Sequence, residues 1–162
     1  MIFVAVGTQK FQMNRLLRKI DELVFDGIIK EKVFVQKGHS DYEPQNYEYI
    51  DFLSKDEFDE SVRKSDLLIT HSGVATIMVG IKCKKPVVVV PRLEKYNEHV
   101  DDHQMQIAEA FLKQNFVLMC EEIDDLGEFV EMAKVHRFDE YTSNRDNILR
   151  IINYNLDKWS KI

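Results

Sequence analysis

The feature that most constrains this chain is a set of short apolar runs that do not alternate with polar residues. Residues 2–6, 67–69 and 86–90 are apolar at successive positions, and the last run is almost wholly valine. A strand that carries apolar side chains on both faces needs cover on both faces. That is the condition of a parallel sheet flanked by helices, with each crossover long enough to hold a helix. The intervening sequence supplies the helices. Phe11, Leu16, Leu17, Ile20, Leu23 and Val24 recur at helical spacing over residues 11–25. Ser54 followed three residues later by Glu57 is a capping-box pattern opening a helix over 55–64. Further helices are expected over 74–82, 100–114, 126–135 and 145–158, and further strands over 33–36, 47–52 and 116–119.

This alternation predicts an α/β fold, a Rossmann-like parallel sheet with helices on both faces. The chain has 162 residues, enough for a single domain with a real core and no need of staples. Residues 1–162 are therefore read as one unit ending in the helix over 145–158. That helix carries an apolar stripe of Ile148, Leu149, Ile151, Ile152 and Leu156, with Trp159 beyond it. The stripe reads by default as core packing, and a partner-facing role is the alternative.

Charge and cysteine content narrow the function. The net charge is −6 and there is no Lys/Arg stripe, so no nucleic acid partner is expected. The two cysteines, Cys83 and Cys120, sit in apolar surroundings without zinc-ribbon spacing, as reduced core thiols would in a cytoplasmic protein. No segment approaches the ~18 consecutive apolar residues of a membrane span.

In an open parallel sheet the ligand lies at the carboxyl ends of the strands. Candidate segments fall there: Gly7-Thr8, Gln36 to His39, His71-Ser72-Gly73, and Pro91 to Gln104. The richest is His71-Ser72-Gly73-Val74-Ala75-Thr76, a glycine turn feeding a helix after a buried strand. Small residues let a ligand approach the backbone, and the free N–H groups of the helix start suit a phosphate or diphosphate. Ser72 is expected to cap that helix, and Thr76 presents a hydroxyl in its first turn. The plainer reading is an ordinary capped helix beside a buried, hydrogen-bonded His71.

The run Glu98-His99-Val100-Asp101-Asp102-His103-Gln104 is dense in polar groups. His99 and His103 stand four apart, so on a helix they share a face, as zinc-binding histidines do. A metal-dependent hydrolase using His99, Asp101, Asp102 and His103 is therefore a rival reading. Against it, the glutamate of a His-Glu-x-x-His motif is missing, and no metal is expected. The run also fits an acidic helix start, favourable with the helix dipole.

Taken together, Val4 to Gln9, His71-Ser72-Gly73, Pro86 to Arg92 and Glu98 to Gln104 resemble glycosyltransferase family 28, C-terminal domain. The likeness runs from Met1 to about Phe116. It is strongest to small bacterial capsule and exopolysaccharide subunits and to the soluble subunit of the eukaryotic two-part GlcNAc transferase of the dolichol pathway. The resemblance implies the C-terminal half of a GT-B enzyme, which holds a UDP-sugar donor and inverts the anomeric centre without a bound metal or cofactor. It implies that the acceptor half is a separate membrane-anchored subunit, recruiting this chain to the inner face of the membrane, and that the acceptor is a lipid-linked saccharide.

Site roles follow by position. Gly7 and Thr8 would lie near the diphosphate or the cleft, while Ser72, Gly73 and Thr76 would receive the diphosphate. Gln104, with Asp102 and His103, would meet the donor sugar, and Glu98 and His99 would close the site. No catalytic base is assigned: His71 and His99 are candidates, with the partner the expected source. The departure is Val79, which stands where related domains place a glutamate for the ribose. Either another acid such as Glu98 replaces it, or nucleotide binding is weakened or lost. A non-catalytic accessory subunit is the corresponding alternative.

Overall fold

The computed structural model describes residues 1–143. The helix expected over 145–158, with its apolar stripe and Trp159, lies outside the described residues. In chain order the elements are β1 (Ile2–Ala5), α1 (Asn14–Phe25), β2 (Val33–Gln36), β3 (Glu48–Ile50), α2 (Lys55–Lys64), β4 (Leu67–Thr70), α3 (Val74–Lys82), β5 (Val87–Val89), α4 (His103–Lys113), β6 (Leu118–Met119) and α5 (Leu126–Val135). Short 3-10 turns at Glu94–Tyr96 and Ile123–Asp125 precede α4 and α5.

The strands form one six-stranded sheet in the order β3-β2-β1-β4-β5-β6. Every neighbouring pair is parallel. The order reverses at β1, which pairs with β2 on one side and β4 on the other, so the loops after β1 and β4 flank the switch point where such sheets hold ligands.

Successive strand residues point to opposite faces, and the cores divide accordingly. Val4, Val35, Ile69 and Val88 pack with Leu16, Leu17 and Ile20 of α1 and with Leu126 and Val130 of α5. Phe3, Leu68, Val87 and Val89 pack on the other face with Val62 of α2, Ile77 and Ile81 of α3, and Ala108 of α4. Leu16, Leu17 and Ile20 are fully buried, each worth roughly 1.5–3 kcal/mol over exposure. Cys120 is buried too, and burial pushes its thiol up to about 12, so it stays protonated.

The capping box forms as read: Ser54 Oγ accepts the Glu57 N–H, and the Glu57 carboxylate accepts the Ser54 N–H at 2.9 Å. Three expectations need correction. The third strand spans Glu48–Ile50, not 47–52, and lies exposed at one edge of the sheet, paired only with β2. The first helix begins at Asn14, not residue 11, because the Phe11 and Gln12 carbonyls are taken by a buried arginine and the Met13 N–H donates to Ser40 Oγ. The fourth helix begins at His103, not residue 100, because the loop before it is held by side chains: Asp102 accepts the Glu94 N–H and Asp101 accepts the His103 N–H.

Candidate functional site

The candidate segments meet at the carboxyl ends of β1, β2, β4 and β5. At their centre is His71, directly after β4. Its ring fills the space beside two glycines. A Cβ on Gly7 would lie 2.7 Å from its Cε1 and Nε2; a Cβ on Gly73 would lie 2.7 Å from Cε1 and closer still to Nε2. Gly7 also has φ +87°, which other residues rarely adopt. The glycines thus admit the imidazole and let two loops close over it.

Thr70 Oγ1 donates to the Ala5 carbonyl at 2.7 Å, and His71 Nδ1 lies 3.3 Å from Thr70 Oγ1 and 3.4 Å from that carbonyl. With the threonine proton so used, Nδ1 carries the ring proton and Nε2 is left as the acceptor. Burial first, and then the positive charge of Arg92, press the imidazole down to about 4, against the pull of the Ala5 carbonyl. His71 is neutral at physiological pH and a poor base there.

Gln104, in the first turn of α4, is buried and joins two loops. Its Oε1 accepts the Ser72 N–H and the Arg92 N–H, each at 3.2 Å, which fixes the amide orientation. Its Oε1 is therefore engaged within the protein, and only its amide nitrogen faces other partners. Ser72 does not cap α3. The N-cap is Gly73, with no side-chain cap, and Ser72 Oγ is buried without a partner. Val74 and Ala75 in the first turn are exposed and Thr76 is half-buried, so the α3 N-terminus opens outward. Thr8 is exposed on the loop after Gly7.

Glu98 does not close the site or reach toward a ribose. It is fully buried, and its carboxylate takes Arg15 Nε at 3.1 Å and Nη2 at 2.9 Å, and the Leu93 N–H at 3.2 Å. Arg15 also donates to the Pro91 carbonyl and lies over the Tyr96 ring. Asp102, expected near the donor sugar, accepts the Glu94 N–H at 2.8 Å and folds the loop.

His99 precedes α4 and His103 opens it, so the two do not share a helix face. His99 Nδ1 lies 3.0 Å from Asp101 Oδ1, and His103 Nδ1 lies 3.1 Å from Gln106 Oε1. Among the described residues no group of three ligating side chains is placed to hold a metal ion. Val79, the departure noted in the sequence, packs against the apolar cluster beneath α3.

Arg92 is the residue that motif reasoning missed. It is 1% exposed. Nη1 donates to the carbonyls of Phe11, Gln12 and Glu98, each at 3.0 Å, and Nη2 donates to the Val6 carbonyl. It therefore ties the loop after β1 to the loop after β5. The signal was present: an arginine follows a run of buried valines with only a proline between them. A cavity of about 510 Å³, lined by Ile81, Lys84, Pro86, Phe116 and Tyr141, lies apart from these loops, near the amino ends of β5 and β6.

Comparison with known proteins bears on the whole chain. Residues 1–150 match the glycosyltransferase family 28 C-terminal domain. The human UDP-N-acetylglucosamine transferase subunit ALG13 is 27% identical over 131 residues, covering 74% of this chain and 11% of that protein. The subunit of the same name from Yarrowia lipolytica is 29% identical over 92 residues, covering 56% of this chain and 41% of the relative. The chain thus spans well under two thirds of either relative. Among solved structures, the glycotransferase of kitacinnamycin superposes with a TM-score of 0.64 at 19% identity, over 83% of this chain and 35% of that one. The parallel sheet, its strand order and the matched residues agree: the chain belongs to the glycosyltransferase family 28 C-terminal domain family.

Proposed function

We propose that this chain is the donor-binding subunit of a heteromeric, inverting glycosyltransferase. It would hold a UDP-sugar while a membrane-anchored partner presents a lipid-linked saccharide, in capsule or exopolysaccharide assembly at the inner face of the membrane. The observation that carries this reading is the uncapped α3 N-terminus, framed by Gly7, Gly73 and Gln104 at the switch point of a family 28 sheet. In the proposed reaction an acceptor hydroxyl attacks the anomeric carbon as the bond to the diphosphate breaks. Negative charge gathers on the leaving UDP, where helix N–H groups stabilise it. The acceptor proton passes to a base on the partner, since His71 is walled in and weakly basic. Among the described residues no helix is long and apolar enough to cross a membrane. The chain's resemblance to subunits that ALG13 names in other organisms supports the two-part arrangement.

Calorimetric titration with UDP, UDP-glucose, UDP-galactose and UDP-GlcNAc tests the reading, beside Ala75→Asp. An acid at this exposed first-turn position favours the helix but opposes a bound diphosphate. Saturable UDP binding that weakens about tenfold or more in Ala75→Asp, with no loss of thermal stability, is the expected result. A second reading, a non-catalytic accessory that activates a separate transferase, is favoured by Val79 in place of an acid. Absence of UDP binding both alone and in the presence of the membrane partner would favour it.

A further inference from the structure

Among the described residues, the buried side-chain polar atoms left without a hydrogen bond are Ser72 Oγ and Arg92 Nε. Both belong to this one site. Unsatisfied buried groups are few in native proteins, and each calls for a reason, of which a bound ion is one. Arg92 is the more telling, because it is also a buried charge without a carboxylate of its own. Its donors go to peptide carbonyls, while the nearby Glu98 carboxylate is engaged by both nitrogens of Arg15. Two arginines against one glutamate leave a surplus positive charge beneath the loops. A guanidinium buried in this way is costly unless an opposite charge repays it. Its effect already reaches across the site, since Arg92 is among the causes of the low His71 value.

We propose that Arg92 is the buried counter-charge for an anionic group, a phosphate or diphosphate, held at the Gly73 turn. It acts through space and without touching the anion. Its Nη donors are committed to carbonyls, one of them that of Val6 beside Gly7, and Gly7 and Gly73 both abut the His71 ring, which sets the charge beneath the turn. This inference rests on the donor-site reading above and adds to it the source of the attraction.

The test uses inorganic diphosphate and UDP as probes on four proteins: wild type, Arg92→Lys, Arg92→Met and Glu98→Gln. Folding is checked by circular dichroism. Arg92→Met, which removes the charge, is expected to weaken both probes about tenfold or more. Arg92→Lys, which keeps the charge but cannot reach every carbonyl, should recover most of that loss. Glu98→Gln, which removes a negative charge from the same cluster, should bind the probes as tightly as wild type or more tightly. A purely structural cluster predicts the opposite, with Lys no better than Met and Glu98→Gln as damaged as either.

NMR titration of the His71 ring gives an independent readout. The groups facing it are the Ala5 carbonyl and Thr70 hydroxyl on the strands, Arg92 after β5, and His99 in the following loop. Its titration should move up in Arg92→Met and stay low in Arg92→Lys. Wild-type protein that binds neither probe overturns the donor-site reading and this inference together. Wild type that binds, with Arg92→Met unimpaired or with Lys and Met equally impaired, overturns this inference alone.

Discussion

The His71 imidazole occupies the volume that side chains at Gly7 and Gly73 would need. Gly73→Ala is therefore expected to destabilise the fold by about 1–3 kcal/mol, read by urea unfolding, because the ring has nowhere to go. In a His71→Ala background the same substitution should cost clearly less; an unchanged cost would mean the ring is not the obstacle. The ring also makes stability depend on pH. Its value is about 4 in the fold against 6.5 when unfolded, so the unfolded chain takes up the proton first as pH falls. The His71 contribution is complete above pH 6.5 and is lost as pH drops from there toward 4, about 2 kcal/mol between pH 7 and pH 5. His71→Gln should flatten that dependence in unfolding experiments at the two pH values; an undiminished slope would place the proton uptake elsewhere. The sequence marked these residues as a turn but could not say why glycine was needed. At Gly7 the reason is the ring of His71, remote in sequence, and at Gly73 it is the same ring folded back over its own loop. Glu98 misled for the same cause: its partner Arg15 is remote in sequence, and nothing local shows that its carboxylate is already in use.

At the scale of elements, local rules held where local chemistry decides. The Ser54 and Glu57 reciprocal cap is a short-range device, and Ser54→Ala should cost about 1 kcal/mol by thermal or urea unfolding, with the loss centred on α2. A silent substitution would show that α2 is held by its packing alone. The valine-rich strands were legible because burial on both faces leaves a continuous apolar run. β3 was harder to bound: it is an edge strand with both faces exposed, so it carries no such run. The helix starts at Asn14 and His103 were not readable from periodicity: long-range hydrogen bonds consume the backbone groups that would have begun the first earlier, and the loop before the second is held by its own aspartates. Apolar spacing predicts a helix as far as its pattern extends, while Arg92 and Ser40 claim the preceding peptide units.

For the whole molecule, the parallel sheet and the clustering of its loops followed from the order of apolar runs, whereas the wiring beneath those loops did not. Donor binding is expected to be indifferent to chelation, with UDP affinity the same in EDTA as without it. A tenfold loss would instead call for a metal among residues not seen to form a ligand set. One consequence of the strand order concerns how the chain is made. β1 is synthesised first but lies inside the sheet, between β2 and β4, and it gains its second neighbour only when Leu67–Thr70 has emerged. The carbonyls of Val6, Phe11 and Gln12 wait longer still, for Arg92, and the Ser72 turn waits for Gln104. A ribosome-bound chain can thus pair β1, β2, β3, β4 and β5 while the loops at their carboxyl ends are still open; those loops close only once Gln104 has emerged, with β6 and α5 still to follow. Nascent chains halted before Gln104 should collapse without a fixed turn at Gly73, leaving a partly built sheet for chaperones to shield.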